Sequence, residues 1–196
     1  MTPQQELARE LTKLAEAADG VDDLMSVIVG RLQERLAHYD WVGFYMIEKG
    51  RPGEDPVLVL GPYVGAVTEH KRIPLNQGIC GAAASTGRTL VIDDVSKDPR
   101  YLACSIETKS EIVVPIRVKG DIVGELDIDS HSPTAFGPDD RQLVEHCARL
   151  VGQYLEKTTY EPAVSVQPAQ FQRQTRRSRQ IHSPKNKDYW PVTADC

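Results

Sequence analysis

The period of the apolar positions changes three times along the chain. Between residues 3 and 18, Leu7, Leu11, Leu14 and Ala18 recur at spacings of three and four, which predicts an amphipathic helix with Gly20 as its stop. Asp22 and Asp23 are the expected N-caps of a second helix, whose stripe is Leu24, Ile28, Leu32 and Leu36. From Trp41 the helical period is lost. WVGFYMIE, residues 41–48, is aromatic and β-branched and predicts a strand; RPGEDP is turn-rich, and VLVLGPYVG is the returning strand. IPLNQGICGAAASTGR reads as a loop entering a short helix that ends near Gly87. A short strand, TLVID, and an irregular stretch, SKDPRYLA, follow. EIVVPIRV at 111–118 and IVGELDID at 122–129 flank Lys119-Gly120-Asp121 and predict a hairpin. Over 138–157 the helical period returns, with Leu143, Cys147, Leu150, Val151 and Tyr154 on one face and Pro138, Asp139 and Asp140 suited to the N-terminus. The order predicts an α+β domain over residues 1–160, a mostly antiparallel central sheet with N-terminal and C-terminal helices packed on it. That length buries a core without a covalent staple. After Tyr160 periodicity stops, and residues 161–196 are expected to be a disordered tail.

Composition adds exclusions. With 40% hydrophobic and 26% charged residues among 196, the chain is of ordinary globular type. No apolar run approaches the roughly 18–20 residues of a membrane span, and the N-terminus lacks the apolar core of a secretory signal. The four cysteines, Cys80, Cys104, Cys147 and Cys196, form no CxxC pair, so no disulfide framework is expected and a cytoplasmic location fits best. The net charge is −5. Six Lys/Arg against three acids give the segment from Glu161 onward +3, which leaves −8 on the body. An acidic body is a poor nucleic-acid binder, and the basic tail suits either solvent or an anionic partner.

The hairpin carries the first candidate chemistry. Side chains alternate across a strand, so Ile112, Val114, Ile116 and Val118 share a face with Ile122, Leu126 and Ile128. A three-residue loop keeps these apolar faces together and pairs Val118 with Ile122, Val113 with Asp127 and Glu111 with Asp129. Val123, Glu125, Asp127 and Asp129 then take the other face with Glu111. A solvated acidic face is the ordinary reading of such residues. Against it, Asp is depleted in strands and two at i, i+2 break a local rule. Glu111, Asp127 and Asp129 would raise one another's pKa, and one held neutral could act as general acid or help to cradle an ammonium group.

Cys80 sits between glycines at the start of the short helix, where the dipole favours thiolate; Cys104 lies seven residues before Glu111. Both are equally readable as small buried hydrophobes, the usual fate of free cysteine, and Cys147 is assigned to that fate by its place on the last helix's apolar stripe. Cys80, Cys104 and His70 could in principle hold zinc or iron, but no ligand pair has the short spacing of a structural site. No metal and no cofactor are expected.

Taken together, WVGFY, RIPLNQGICGAA, the Cys104-to-SEIVVPI stretch and GELDIDS resemble the free methionine-(R)-sulfoxide reductases, stand-alone GAF-domain enzymes. The resemblance runs from Trp41 to the final helix and implies a GAF-like fold. It implies Cys104 as catalytic cysteine, Cys80 as its resolving partner, Glu111, Asp127 and Asp129 as active-site acids, and Trp41 and Tyr45 as substrate-binding aromatics. Family members commonly carry a third cysteine before the R-I-P turn, where His70 stands here. The implied activity is reduction of free methionine-(R)-sulfoxide to methionine through a sulfenic acid and a disulfide. The implied partners are that substrate and thioredoxin or a similar dithiol, with a homodimer as a further option. The alternative function is that of a non-catalytic GAF module, sensing a small molecule or dimerising in trans.

Overall fold

The computed structural model describes residues 1–102 and 105–158. Cys104, Cys196 and the segment expected to form the tail lie outside the described residues. Four α-helices are described, α1 (Pro3–Ala17), α2 (Val21–Arg35), α3 (Gly78–Thr86) and α4 (Pro138–Lys157). Six strands, β1 (Trp41–Glu48), β2 (Val57–Val64), β3 (Arg72–Pro74), β4 (Leu90–Ile92), β5 (Ser110–Val118) and β6 (Asp121–Ser130), pair antiparallel in the order β3-β2-β1-β6-β5-β4.

The two faces of this sheet bury different side chains. α1, α2 and α4 cover one face, where Leu7, Leu11, Ile28 and Leu32 meet Val42, Phe44, Ile112, Val114, Leu126 and Ile128 with Leu143, Val144 and Cys147. Cys147 is fully buried there, and burial pushes its thiol up to about 12. On the opposite face α3 packs with Ile79, Cys80 and Ala83 against Tyr45, Leu58, Ile73 and Val113. The alternation of β1 decides the split: Val42 and Phe44 point to the three helices, Trp41 and Tyr45 to α3. Asp140, in the first turn of α4, ties the helix layer together. Its carboxylate accepts from Gly137 N–H at 3.0 Å, Tyr39 Oη–H at 3.1 Å and Gln4 Nε2 at 3.1 Å.

Three local expectations need correction. Gly20 does not end α1, which stops at Ala17; it is the N-cap of α2. Asp22 and Asp23 therefore sit inside the first turn, where a carboxylate still meets the positive end of the dipole. β3, three residues long, pairs with β2 where a loop was expected. In the hairpin, Glu111 does face Asp129 and Val113 does face Asp127, but the turn is Lys119-Gly120 alone, with φ of 51° and 94°, and Val118 faces Asp121. Two residues of positive φ match the twist of the flanking strands. The register shifts by one between Ile116 and Arg117, which leaves Val123 as a bulge. Val123 is thereby turned away from the acids into the helix-side core.

α4 approaches β5 so closely at Gly152 that a Cβ there would overlap the carbonyl oxygen of Arg117. Backbone cannot give way as a side-chain tip does. Gly152→Ala is expected to cost roughly 1–3 kcal/mol by overpacking. A thermal melt should show this as a loss of several degrees, and an unchanged or raised midpoint would mean that α4 and β5 are not in this contact.

Candidate functional site

Register builds the site. β1, β6 and β5 lie side by side, so their α3-facing residues fall into rows: Trp41–Asp129–Glu111, Gly43–Asp127–Val113 and Tyr45–Glu125–Pro115. Opposed side chains stand about 4.5–5.5 Å apart at Cβ, and four of them are carboxylic acids. Trp41 lies flat on its own strand because Gly43 has no side chain; a Cβ there would overlap the indole. The indole Nε1–H donates to Ala66 O at 3.1 Å, and Tyr45 Oη–H donates to His70 O at 2.9 Å. The two rings are near-parallel, 29° apart with centroids 6.2 Å apart.

α3 closes the site from above. Cys80, in its first turn, lies with Sγ 3.3 Å from Asp127 Oδ2 and 3.9 Å from Glu111 Oε1. A cavity of about 60 Å³ opens beside this cluster, lined by Trp41, Tyr45, Thr68, Asp127, Asp129 and His131. A larger groove, about 270 Å³, runs between α1 and α4. It gathers no thiol and no buried acid pair, unlike the smaller cavity beside the acid cluster.

Glu111, Asp127 and Asp129 are 5%, 3% and 5% exposed, and Glu125 is 0% exposed. None of them belongs to an ion pair among the described residues. Burial in low dielectric, with like charges alongside, favours the neutral form. Burial, then Asp127 and Asp129, holds the Glu111 carboxyl well above the usual range. Asp129 is raised by burial, then by Asp127 and Asp40. Burial pushes Asp127 up to about 7, against the lowering effect of the Cys80 S–H and the Ile128 N–H. Glu125 is raised by burial and then by Asp127, against the lowering effect of the Cys80 S–H. Both Glu125 oxygens and Asp127 Oδ1 are buried without a hydrogen-bond partner among the described residues.

The structure thus gathers Cys80, Glu111, Asp127, Asp129, Trp41 and Tyr45 in one place. Cys104 lies outside the described residues. Alternation had already put Glu125 on the acid face, yet nothing in the pattern distinguished it from a solvated acid; its complete burial follows only from its place under α3 and beside Tyr45. Of the metal set weighed from sequence, Cys80, Cys104 and His70, Cys104 lies outside the described residues. Among the described residues the acid–thiol cluster is Cys80, Glu111 and Asp127, without His70.

The GAF domain family matches residues 20–155. The free methionine-R-sulfoxide reductase of Escherichia coli is 37% identical over 130 residues, covering 66% of this chain and 74% of that protein. The free methionine-R-sulfoxide reductase of Neisseria meningitidis, solved with its substrate, superposes with a TM-score of 0.71 at 30% identity, over 78% of this chain and 88% of that one. The Staphylococcus aureus fRMsr, also solved with substrate, gives a TM-score of 0.70 at 32% identity, over 79% of this chain and 97% of that one. By sequence and by fold alike, the chain belongs to the free methionine-R-sulfoxide reductase family of GAF-domain proteins.

Proposed function

We propose that this chain reduces free methionine-(R)-sulfoxide to methionine, with Cys104 as nucleophile, Cys80 as resolving thiol and a thioredoxin-like dithiol as reductant. The observation that carries the reading is the buried acid cluster beside Cys80, at the end of a cavity walled by Trp41 and Tyr45. A sulfoxide oxygen leaves sulfur only when protonated. A carboxyl kept neutral by burial and by its neighbours can supply that proton near pH 7. The remaining carboxyls ionise against the ammonium of the free amino acid, which a peptide-bound residue lacks. Trp41 and Tyr45 enclose the methyl-sulfoxide end.

In the first half-reaction the Cys104 thiolate attacks the sulfoxide sulfur. The oxygen passes to Cys104 as a sulfenic acid, and methionine leaves. In the second, Cys80 attacks the sulfenic sulfur, and water departs as the Cys80–Cys104 disulfide forms. The external dithiol then returns both thiols and is itself oxidised. Four cysteines without a paired framework suit the reducing cytoplasm, where such a dithiol is at hand.

One equivalent of methionine-(R)-sulfoxide, added without reductant, should release one methionine and leave a Cys80–Cys104 disulfide by peptide mapping. Cys104→Ser should lose turnover altogether, because a hydroxyl is far less nucleophilic toward sulfur than a thiolate. Activity above a few per cent in that variant, or a map joining Cys104 to Cys147 or Cys196, would overturn the scheme.

The acid cluster also sets a pH dependence of stability. A carboxyl raised in the folded state binds its proton more tightly there than in the unfolded chain. Its stabilising contribution is therefore full below about pH 4 and is lost as pH rises through the folded value, about 7 for Asp127. Asp127→Asn mimics the neutral form at every pH. Its melting temperature relative to wild type should rise by roughly 5 °C between pH 5 and pH 8. A flat difference across that range would show that Asp127 is ionised in the folded protein throughout.

A further inference from the structure

The sulfoxide chemistry uses the acids at the cavity wall and leaves the deepest part of the cluster unexplained. There Glu125, 0% exposed, stands beside Asp127; among the described residues neither of its carboxyl oxygens nor Asp127 Oδ1 has a hydrogen-bond partner in good geometry, and the Cys80 S–H lies close enough to Glu125 to lower its pKa. Buried polar atoms in folded proteins nearly always find a partner. Three in one place, with no cationic side chain in an ion pair to them among the described residues, are suited to a bound cation.

We propose that Cys80, Glu111 and Asp127, backed by Glu125, bind a borderline-soft divalent cation of the zinc type.

The two sulfur–oxygen distances are near those of such an ion. Zinc–sulfur and zinc–oxygen bonds of about 2.3 Å and 2.0–2.2 Å at tetrahedral angles set sulfur and oxygen ligands roughly 3.5–3.7 Å apart. Cys80 Sγ lies 3.3 Å from Asp127 Oδ2 and 3.9 Å from Glu111 Oε1, on either side of that spacing. One atom from each of the three residues lies within 4.8 Å of the others. Glu125 lies behind these three ligands, beside Asp127, and adds negative charge while water takes the fourth corner. The donor set chooses the metal: a thiolate beside carboxylates favours zinc or cadmium, whereas magnesium and calcium take oxygen alone. Register and the position of α3 bring the ligands together, so the short sequence spacing of a zinc finger is not required.

The site shares Glu111 and Asp127 with the pocket for the substrate's ammonium, so a bound ion should exclude substrate. That corollary rests on the proposed reductase activity, whereas the binding itself does not.

The test is a cadmium titration of the full-length, fully reduced protein without substrate, read by the ultraviolet sulfur-to-cadmium charge-transfer band. One Cd²⁺ per chain is expected, displaced by Zn²⁺ and unaffected by millimolar Mg²⁺. Cys80→Ser should abolish the band, while a Cys104→Ser, Cys196→Ser double variant should retain it. Asp127→Asn and Glu111→Gln keep the shape of the site and remove charge that is costly to bury. Each should fold and weaken binding by at least about tenfold. No saturable band in the wild-type protein, or a band that survives Cys80→Ser, would overturn the proposal. So would full affinity in both carboxamide variants. None of these readouts depends on turnover, so a protein inactive toward methionine sulfoxide would leave them standing.

Discussion

The organising constraint of this molecule is the burial of four carboxylic acids on one side of a sheet with no cationic side chain paired to them among the described residues. Strand register imposes it: Glu111, Glu125, Asp127 and Asp129 alternate with the residues that build the helix-side core, so packing one face commits the acids to the other. α3 then removes that face from water. The cost of burying ionised carboxyls is too large to bear, and the cluster meets it by staying largely neutral, Asp127 with a value near 7. The fold thus holds carboxyls of raised pKa beside the Cys80 thiol.

The architecture around this constraint divides its labour between the two faces. α1, α2 and α4 supply a conventional apolar core, knitted at Asp140. That core lets the opposite face carry buried acids whose ionised form is costly. The aromatic wall depends on the same division. Trp41 and Tyr45 project to the acid face because Val42 and Phe44 project to the helices, and Gly43 leaves the indole room to lie flat.

Much of this was legible in the sequence where a strong period and a short connection acted together. The hairpin pairs of Glu111 with Asp129 and Val113 with Asp127, and the span of α4, follow from alternation, loop length and a Pro-Asp-Asp start. The bulge at Val123 was not legible, because a two-residue turn plus one extra residue satisfies the same pairing farther along as a three-residue loop does. β3 is too short to show a period and exists only because β2 offers it an edge. Cys80's distance to Asp127 joins residues 47 apart in the chain, which local patterns do not encode. Glu125 lay on the correct face, but its burial depends on the helix packed above it.

The proposed chemistry depends on the neutrality of the acid cluster. Infrared difference spectroscopy can see it directly, because a protonated carboxyl absorbs as a C=O stretch that a carboxylate lacks. At pH 7, adding methionine to the reduced protein should bleach part of a protonated-carboxyl band as the ammonium draws out a proton, and Asp127→Asn should diminish or shift that signal. A spectrum with no protonated carboxyl at pH 7, before or after the amino acid is added, would contradict the account.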